Sequence, residues 1–353
     1  AVSSLIAGGA IVPVPDVSES SDPVRLLEAL GFTPVINEAF NPSVPAGQAL
    51  GQTPPPGTEA ETGSEVQVLI SAGPRRVIAF DSDQDGDRDI YIMDVDGETI
   101  LMLTDDIAGP ANDTDPAWSP DGSLIAFVSD RDGDPEIFVM SANGTDVIQL
   151  TNNAIDDGDP AWSPDGMKLA FRSFAGGNAD IHVMASDGSD QIKLTDDPAE
   201  DARPYWSPDG SRIVFDSDRY GNFDLFVMEA DGSNVTQLTE TPSDEVGAVW
   251  SPDGSSYAYT SDTTGRSDIY IMDVDGSNIR HVTATVQLEL SPVWAPDGSG
   301  LAYLSEQSGF HIIQTIDLTT NEIVHLTSPT FSSRNPSWSM AAETSDFEQV
   351  AED

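Results

Sequence analysis

The chain has 353 residues, of which 61 are acidic and 14 are basic, so its formal net charge is −47. This charge excludes nucleic acid as a partner, because phosphate binding needs a basic surface, and it favours metal ions or basic proteins instead. The absence of cysteine excludes disulfide bonds and thiolate chemistry. No stretch reaches the roughly 20 apolar residues that a membrane-spanning helix needs, so we expect no membrane span in this chain.

Residues 1–11 form a short apolar segment. Val2–Gly9 reads VSSLIAGG and aligns with VQVLISAG at Val66–Gly73, as if it were the last strand of a preceding module. Because the chain starts abruptly at Ala1, one interpretation is a tail left where a polypeptide was processed or excised. The other is a strand donated to the sheet of a neighbouring molecule, which would assemble the protein into homo-oligomers or filaments.

Residues 12–73 are expected to form a small α+β domain. Its sequence opens with VPDV at Val14–Val17, and Asp22 and Pro23 fit the N-cap and first position of a helix that ends at Gly31. The VPDV, AGQ…QTPPPG and GSEVQVLISAG segments resemble a PASTA module, an extracytoplasmic domain of bacterial penicillin-binding proteins and Ser/Thr kinase ectodomains. The resemblance implies a location outside the cytoplasm, and it does not carry muropeptide or β-lactam binding to this chain.

The rest of the chain is organised by a repeat that places one tryptophan every 44 residues. The repeat reads PAWSPDG at Pro116–Gly122 and returns until a truncated PSWSM that starts at Pro336. A period of this length, made of short strands and turn signals, predicts a β-propeller with one four-stranded blade per repeat and therefore six blades. The six tryptophans are Trp118, Trp162, Trp206, Trp250, Trp294 and Trp338.

The order of the strands predicts how the propeller closes. In the second blade, buried strands at Leu124–Val128 and Ile137–Met140 follow the tryptophan motif, and an outer strand follows at Val147–Leu150. The first blade begins at Val77–Ser82 and lacks the motif, whereas Pro336–Ser339 has the motif and no strands after it. We therefore expect a mainly β fold, a six-bladed β-propeller in which the C-terminal strand completes the first blade.

The WSPDG turn and the strands that follow it resemble the TolB-type, or WD40-like, propeller repeat over residues 75–340. The sixth blade departs most, because Gly309–Ile312 lacks an acidic residue and Thr319–Asn321 replaces the Asp-Gly turn. The resemblance implies a binding or scaffolding platform, since a fold does not by itself define an activity. Residues 341–353 are expected to form an acidic C-terminal tail.

The loops between the second and third strands of the first two blades carry the candidate metal ligands. The first loop reads DSDQDGDRD, in which alternate carboxylates surround one point and Gly86 permits a sharp turn, as Ca²⁺ sites require. An EF-hand is excluded because Ile92 stands where its bidentate Glu would be. The alternative is an ordinary polar hairpin loop without a metal. The candidate ligands are Asp81, Asp83, Asp85, Asp87 and Asp89 in the first blade and Asp130, Asp132, Asp134 and Glu136 in the second.

The same face of the propeller is expected to be acidic. In an up-and-down blade, the loop between the second and third strands emerges on the side where the chain crosses to the next blade. This face could bind cations or a basic partner, or it could be only a solvated acidic surface. The acids in these connections are Asp105, Asp106, Asp113, Asp115, Asp156, Asp157, Asp159, Asp196, Asp197, Glu200 and Asp201.

The sequence gives little support for catalysis. Its four histidines are scattered over the strands, and no hydrolase elbow, P-loop or zinc-protease motif is present. We therefore predict a non-enzymatic structural or adhesion protein of the bacterial or archaeal cell surface, calcium-binding and able to assemble into filaments. The alternative is the ligand-sensing ectodomain of a PASTA-containing Ser/Thr kinase or envelope protein. An acid-dependent hydrolase has the least support.

Overall fold

The computed structural model describes residues 10–18, 20–39, 44, 47–71, 76–95, 97, 100–104 and 111–339. The chain divides into two compact units, whose described parts are residues 10–71 and 76–339. Most of the apolar segment predicted at residues 1–11, the acids Asp105 and Asp106, and the predicted tail at residues 341–353 lie outside the described residues. In the part of the chain that the structure describes, no helix is long and apolar enough to cross a membrane.

The first unit is a small α+β domain. Its helix starts where Asp22 accepts a hydrogen bond from the backbone N–H of Arg25 at 2.9 Å, and its apolar face buries Leu27. Three strands form one sheet in the order β2-β5-β3, with β2 parallel and β3 antiparallel to β5, and β1 pairs with β4. The elements are β1 (Ile11–Pro13), α1 (Pro23–Ala29), β2 (Thr33–Ala39), β3 (Ala49–Thr53), β4 (Glu59–Glu61) and β5 (Glu65–Ser71).

The second unit contains six antiparallel four-stranded sheets, which are the blades A to F. Blade A contains β6 (Val77–Ser82), β7 (Asp89–Asp94), β8 (Ile100–Met102) and the last of the described strands, β29 (Ser333–Ser339). Blade B contains β9 (Asp113–Trp118), β10 (Leu124–Ser129), β11 (Glu136–Ser141) and β12 (Ile148–Gln149). Blade C contains β13 (Asp157–Trp162), β14 (Lys168–Ser173), β15 (Asp180–Ala185) and β16 (Ile192–Lys193).

The other three blades follow the same pattern. Blade D contains β17 (Asp201–Trp206), β18 (Arg212–Ser217), β19 (Asp224–Glu229) and β20 (Thr236–Gln237). Blade E contains β21 (Glu245–Trp250), β22 (Ser256–Ser261), β23 (Asp268–Asp273) and β24 (Arg280–His281). Blade F contains β25 (Glu289–Trp294), β26 (Gly300–Gln307), β27 (Phe310–Asp317) and β28 (Ile323–His325). The first, second and third strands in each blade are long, and the fourth is short, which leaves little exposed edge.

The C-terminal strand closes blade A, so the predicted closure is confirmed. β29 runs antiparallel to β6, with Trp338 opposite Ile78 and Ser333 opposite Ser82. The backbone N–H of Trp118, in blade B, donates to the hydroxyl of Ser337 at 3.1 Å. The end of the chain is therefore bonded both to the start of the propeller and to the next blade.

Two local features explain the repeated sequence. In the Ser-Pro-Asp-Gly turn of blade B, Asp121 accepts hydrogen bonds from the Ser119 hydroxyl at 2.7 Å and the Ser123 N–H at 3.1 Å, and Gly122 has φ +69°. The second and third strands are buried on both faces because neighbouring blades pack against them. Between blades D and E, for example, Leu225 packs in one cluster with Trp250 and Tyr257.

Candidate functional site

The innermost strands of the six blades surround a central cavity of about 520 Å³. Each blade contributes the same stretch of its repeat, so the wall is built mainly from proline and tryptophan side chains at equivalent positions. Preformed concave sites of this size and apolar lining are typical of ligand and peptide binding. The tryptophans at the wall are Trp118, Trp162, Trp206, Trp250, Trp294 and Trp338, and the prolines include Pro116, Pro160, Pro204, Pro292 and Pro336.

A bulge in each innermost strand adds polar groups to this apolar wall. Asp159, Arg203 and Ser291 have φ values of +52°, +50° and +52°, and each lies one residue before a proline at a point where the strand register shifts. All three residues line the cavity, together with Gly247 and the side chain of Tyr205, which is 40% exposed. The cavity therefore offers charged and aromatic groups as well as apolar contacts.

The charges around the cavity form one network. The guanidinium of Arg203 donates a hydrogen bond to the buried carboxylate of Asp216, and Arg172 binds Asp159 at 2.8 Å. Burial raises the pKa of Asp216 to about 6, although Arg203 opposes the shift. Burial, with repulsion from Asp159, also raises the pKa of Asp115 to about 7. Asp115 and Asp216 therefore keep their protons to a higher pH than an ordinary aspartate does.

The predicted ligands of blade A fall into two groups. Asp85, Asp87 and Asp89 each place a carboxylate oxygen within 4.8 Å of those of the other two. Burial raises the pKa of Asp89 to about 7, and repulsion from the two neighbouring acids contributes. In contrast, Asp81 is buried and paired with Arg88 and Asn335, and Asp83 accepts a hydrogen bond from the Ser332 N–H at 2.8 Å.

The predicted ligands of blade B also separate. Asp130 accepts hydrogen bonds from the backbone and side-chain nitrogens of Asn112 at 2.7 and 2.8 Å, and Asp132 accepts one from Gln149. Asp134 is half-buried, and Glu136 is fully buried at the start of β11. Asp130 and Asp132 are therefore held by loop hydrogen bonds, and among the described residues the four acids of blade B do not form a cluster of the kind found in blade A.

Several connection acids are not surface groups, contrary to the sequence prediction. Asp113, Asp157 and Asp201 begin the innermost strands of blades B, C and D and are 0%, 2% and 0% exposed. Each of them lies opposite the serine that ends the second strand of its blade, so it belongs to the strand ladder and not to the surface connection. The connections do emerge beside the loops between second and third strands, since the Asp157 N–H donates to the Pro135 carbonyl at 2.8 Å.

Six four-stranded blades around an apolar cavity define the class of protein as a six-bladed β-propeller. The family model described as TolB beta propeller domain matches residues 72–157, 150–225 and 219–345, and the chain belongs to this family. The model of the PASTA domain matches residues 12–72. Both resemblances identified in the sequence are confirmed. A sequence search of curated proteins finds no match to the chain.

Solved structures with a similar fold include TolB from Acinetobacter baumannii, which is 23% identical with a TM-score of 0.66; the match covers 75% of this chain and 66% of that one. A putative TolB from Agrobacterium tumefaciens is 22% identical with a TM-score of 0.59, over 72% of this chain and 89% of that one. A puromycin-hydrolysing peptidase of Mycobacterium tuberculosis is 16% identical with a TM-score of 0.53, over 68% of this chain and 42% of that one. At these identities the likeness establishes the fold alone.

Proposed function

We propose that this protein is a non-enzymatic interaction protein of the bacterial or archaeal cell envelope, acting outside the cytoplasm and binding a partner protein in the cavity of its propeller. The cavity is the observation that carries the proposal, because it combines about 520 Å³ of volume with exposed aromatic and charged groups. The TolB-type propeller and the PASTA domain both favour the envelope. The net charge of −47 favours a basic partner segment.

The absence of an enzymatic role is part of the proposal. The charged groups at the cavity are engaged in ion pairs with one another, as with Arg172 and Asp159 at 2.8 Å, rather than presented as a nucleophile with its base. The peptidase with a similar propeller is a longer protein, of which the present chain matches 42%.

A photo-crosslinking experiment tests the cavity as the binding site. Replacing Tyr205 with p-benzoylphenylalanine puts the probe inside the cavity, whereas the same replacement of Tyr220, which is 70% exposed on an outer loop, is the matched control. In envelope fractions of the source organism, we expect one protein adduct at position 205 that excess unmodified protein suppresses. Adducts of equal yield and identity at both positions, or none at position 205, would contradict the proposal.

Calcium binding is the second element of the proposed function. Three carboxylates with oxygens within 4.8 Å repel one another, and a hard cation with oxygen ligands relieves that repulsion. We expect Ca²⁺ at a hundredfold excess over Kd to stabilise the propeller by about 2–3 kcal/mol. The double variant Asp85→Asn, Asp87→Asn should lose the binding event of this cluster in calorimetric titration and the part of the thermal stabilisation that this cluster supplies, and Asp83→Asn, outside the cluster, should keep both. An unchanged response in the double variant would refute the site.

Self-assembly through residues 1–11 is the third element. Its support is the likeness of Val2–Gly9 to Val66–Gly73, because the described part of the latter segment is β5, the central strand of its sheet. A second copy of a central strand would find its hydrogen-bond partners in another molecule. Light scattering and electron microscopy should show oligomers or filaments that disappear on deletion of residues 1–10. A monomer before and after deletion favours the alternative, a ligand-sensing ectodomain.

A further inference from the structure

Three asparagines of the chain begin an Asn-x-Ser/Thr sequence, which is the acceptor sequence for N-linked glycans in exported proteins. They are Asn112 in NDT, Asn143 in NGT and Asn234 in NVT. Glycan transfer requires that the asparagine and the hydroxyl two residues later both lie at the surface, where an enzyme can reach them. The fold places the three acceptor sequences in different surroundings.

The acceptor sequence at Asn112 is held in the innermost strand of blade B. Asp113 and Thr114 begin β9 and are 0% and 9% exposed. The Thr114 hydroxyl donates to Asp115 at 3.2 Å, and the side-chain nitrogen of Asn112 donates to Asp130 at 2.8 Å. An enzyme therefore cannot reach this threonine unless the strand leaves its sheet.

The acceptor sequence at Asn143 forms a tight turn that packs on blade A. The side-chain oxygen of Asn143 accepts hydrogen bonds from the N–H and the hydroxyl of Thr145 at 3.1 and 2.8 Å. A Cβ atom at Gly144 would lie 2.7 Å from the carbonyl oxygen of Leu103, which follows β8. Since Asn143 is also half-buried, this turn cannot be lifted into an enzyme without breaking its contact with blade A.

The acceptor sequence at Asn234 lies fully at the surface. Asn234, Val235 and Thr236 are all exposed, and they lead into β20, the edge strand of blade D. Among the residues that the structure describes, none forms a hydrogen bond with the side chain of Asn234, whereas Asn278, its counterpart in blade E, donates to Asp273 at 2.6 Å. The Thr236 hydroxyl donates to the Asn234 carbonyl at 3.2 Å, so the two groups of the acceptor sequence lie close together.

The shape of the turn explains an asparagine at position 234 but not the threonine that follows. Asn234 has a φ of +56°, and short polar side chains tolerate this left-handed conformation. The equivalent residues Asp146, Asp190 and Asn278 have φ values of +55°, +54° and +53°. In those three blades the position of Thr236 is occupied by residues without a hydroxyl, which are Ile148, Ile192 and Arg280. Blade D therefore combines the exposed turn with a complete acceptor sequence.

We propose that Asn234 carries an N-linked glycan. This inference rests on the proposed function, because it needs a protein that is exported from the cytoplasm. In the transfer, Nδ2 of Asn234 bonds to the anomeric carbon of a lipid-phosphate-linked oligosaccharide and loses one proton. The bond from that carbon to the phosphate oxygen breaks, and the lipid phosphate leaves with the electron pair.

The position of the glycan gives it a function at the rim of the propeller. Val235 is 41% exposed beside the open edge of β20, and an edge strand with an apolar neighbour is a site for unwanted pairing with another chain. A bulky, polar glycan on Asn234 covers this edge. It leaves the central cavity, on the opposite side of the blade, open to a partner.

Tryptic digestion separates the three acceptor sequences, because cleavage after arginine and lysine places them in the peptides 89–131, 132–168 and 220–266. The protein is purified from the envelope of its source organism, and the peptides are analysed by mass spectrometry. We expect a mass increase made of sugar residues on peptide 220–266, with fragmentation that places it on Asn234. The other two peptides should have their unmodified masses.

Three variants produced in the same organism complete the test. Asn234→Gln and Thr236→Val should each abolish the sugar mass, and Thr236→Ser, which keeps the hydroxyl, should retain it. An unmodified Asn234 overturns the proposal, and so does equal modification of Asn112, because exposure would then not select the site. An envelope protein without the glycan refutes this inference alone, whereas a protein found in the cytoplasm refutes the proposed function as well.

Discussion

A chain that ends at Ser332, and so lacks β29, is expected to lose cooperative folding. Loss of β29 removes the strand that pairs with β6 and the hydrogen bond between Ser337 and Trp118. It also exposes a sheet edge at the centre of the propeller. Trp338 is partly buried against an apolar cluster that includes Ile78 and Leu304, so truncating it alone costs about 3 kcal/mol, the low end for a tryptophan. Because whole domains are stable by only about 5–15 kcal/mol, circular dichroism and size-exclusion chromatography should show an unfolded or aggregated product.

A chain that ends at Ser339 is the matched control, since it keeps the complete strand. It should unfold at nearly the same temperature as the full chain. Adding a synthetic peptide of residues 330–341 to the shorter chain should restore part of the cooperative transition, as expected when a strand completes a sheet. If the chain ending at Ser332 unfolds cooperatively within a few degrees of the control, strand closure is not what holds the propeller together.

The fold could be predicted because its determinants are local and repeated. The tryptophan period, the Ser-Pro-Asp-Gly turn and the unmatched motif at Pro336 together specify six blades and their closure. The cluster of Asp85, Asp87 and Asp89 could also be predicted, because a single loop brings the three residues together. The sequence did not reveal that Arg88, inside that loop, pairs with Asp81 and separates it from the other acids.

The parts of the site that span two blades could not be predicted. Asp216 of blade D accepts a hydrogen bond from the Gly247 N–H of blade E, and this contact depends on how the two blades pack. The cavity was missed because Asp159 was counted among the acids of the connections between blades and Arg203 was not considered, whereas bulges place both residues at the cavity. A signal was present: Pro160 and Pro204 follow them directly, and proline inside a strand marks a bulge or an edge.

Replacing Arg203 with methionine is expected to have a large, pH-dependent cost. Asp216 is 0% exposed, and its partners are Arg203 and the Gly247 N–H, at 3.0 Å from each carboxylate oxygen. Removing the guanidinium leaves a buried carboxylate without a countercharge, which costs about 3–5 kcal/mol. Urea denaturation at pH 8 should show this loss. Arg212→Met is the control, because Arg212 lies over the ring of Trp250 at 4.7 Å, and its effect should be small and independent of pH.

The pH dependence of stability identifies why the Arg203→Met variant is less stable. The pKa of Asp216 is already raised to about 6 by burial, and loss of Arg203 raises it further. A folded-state pKa above the unfolded value means that the folded protein holds the proton more tightly, so the variant gains stability as the pH falls and loses it as the pH rises through the folded-state pKa. The difference in the free energy of unfolding between Arg203→Met and the unmodified protein should therefore be smaller at pH 5 than at pH 8. Adding Asp216→Asn should remove the pH dependence and recover part of the stability. An equal cost at pH 5 and pH 8 would mean that Arg203 acts through its packing on Phe223, 5.6 Å away, and not through the charge of Asp216.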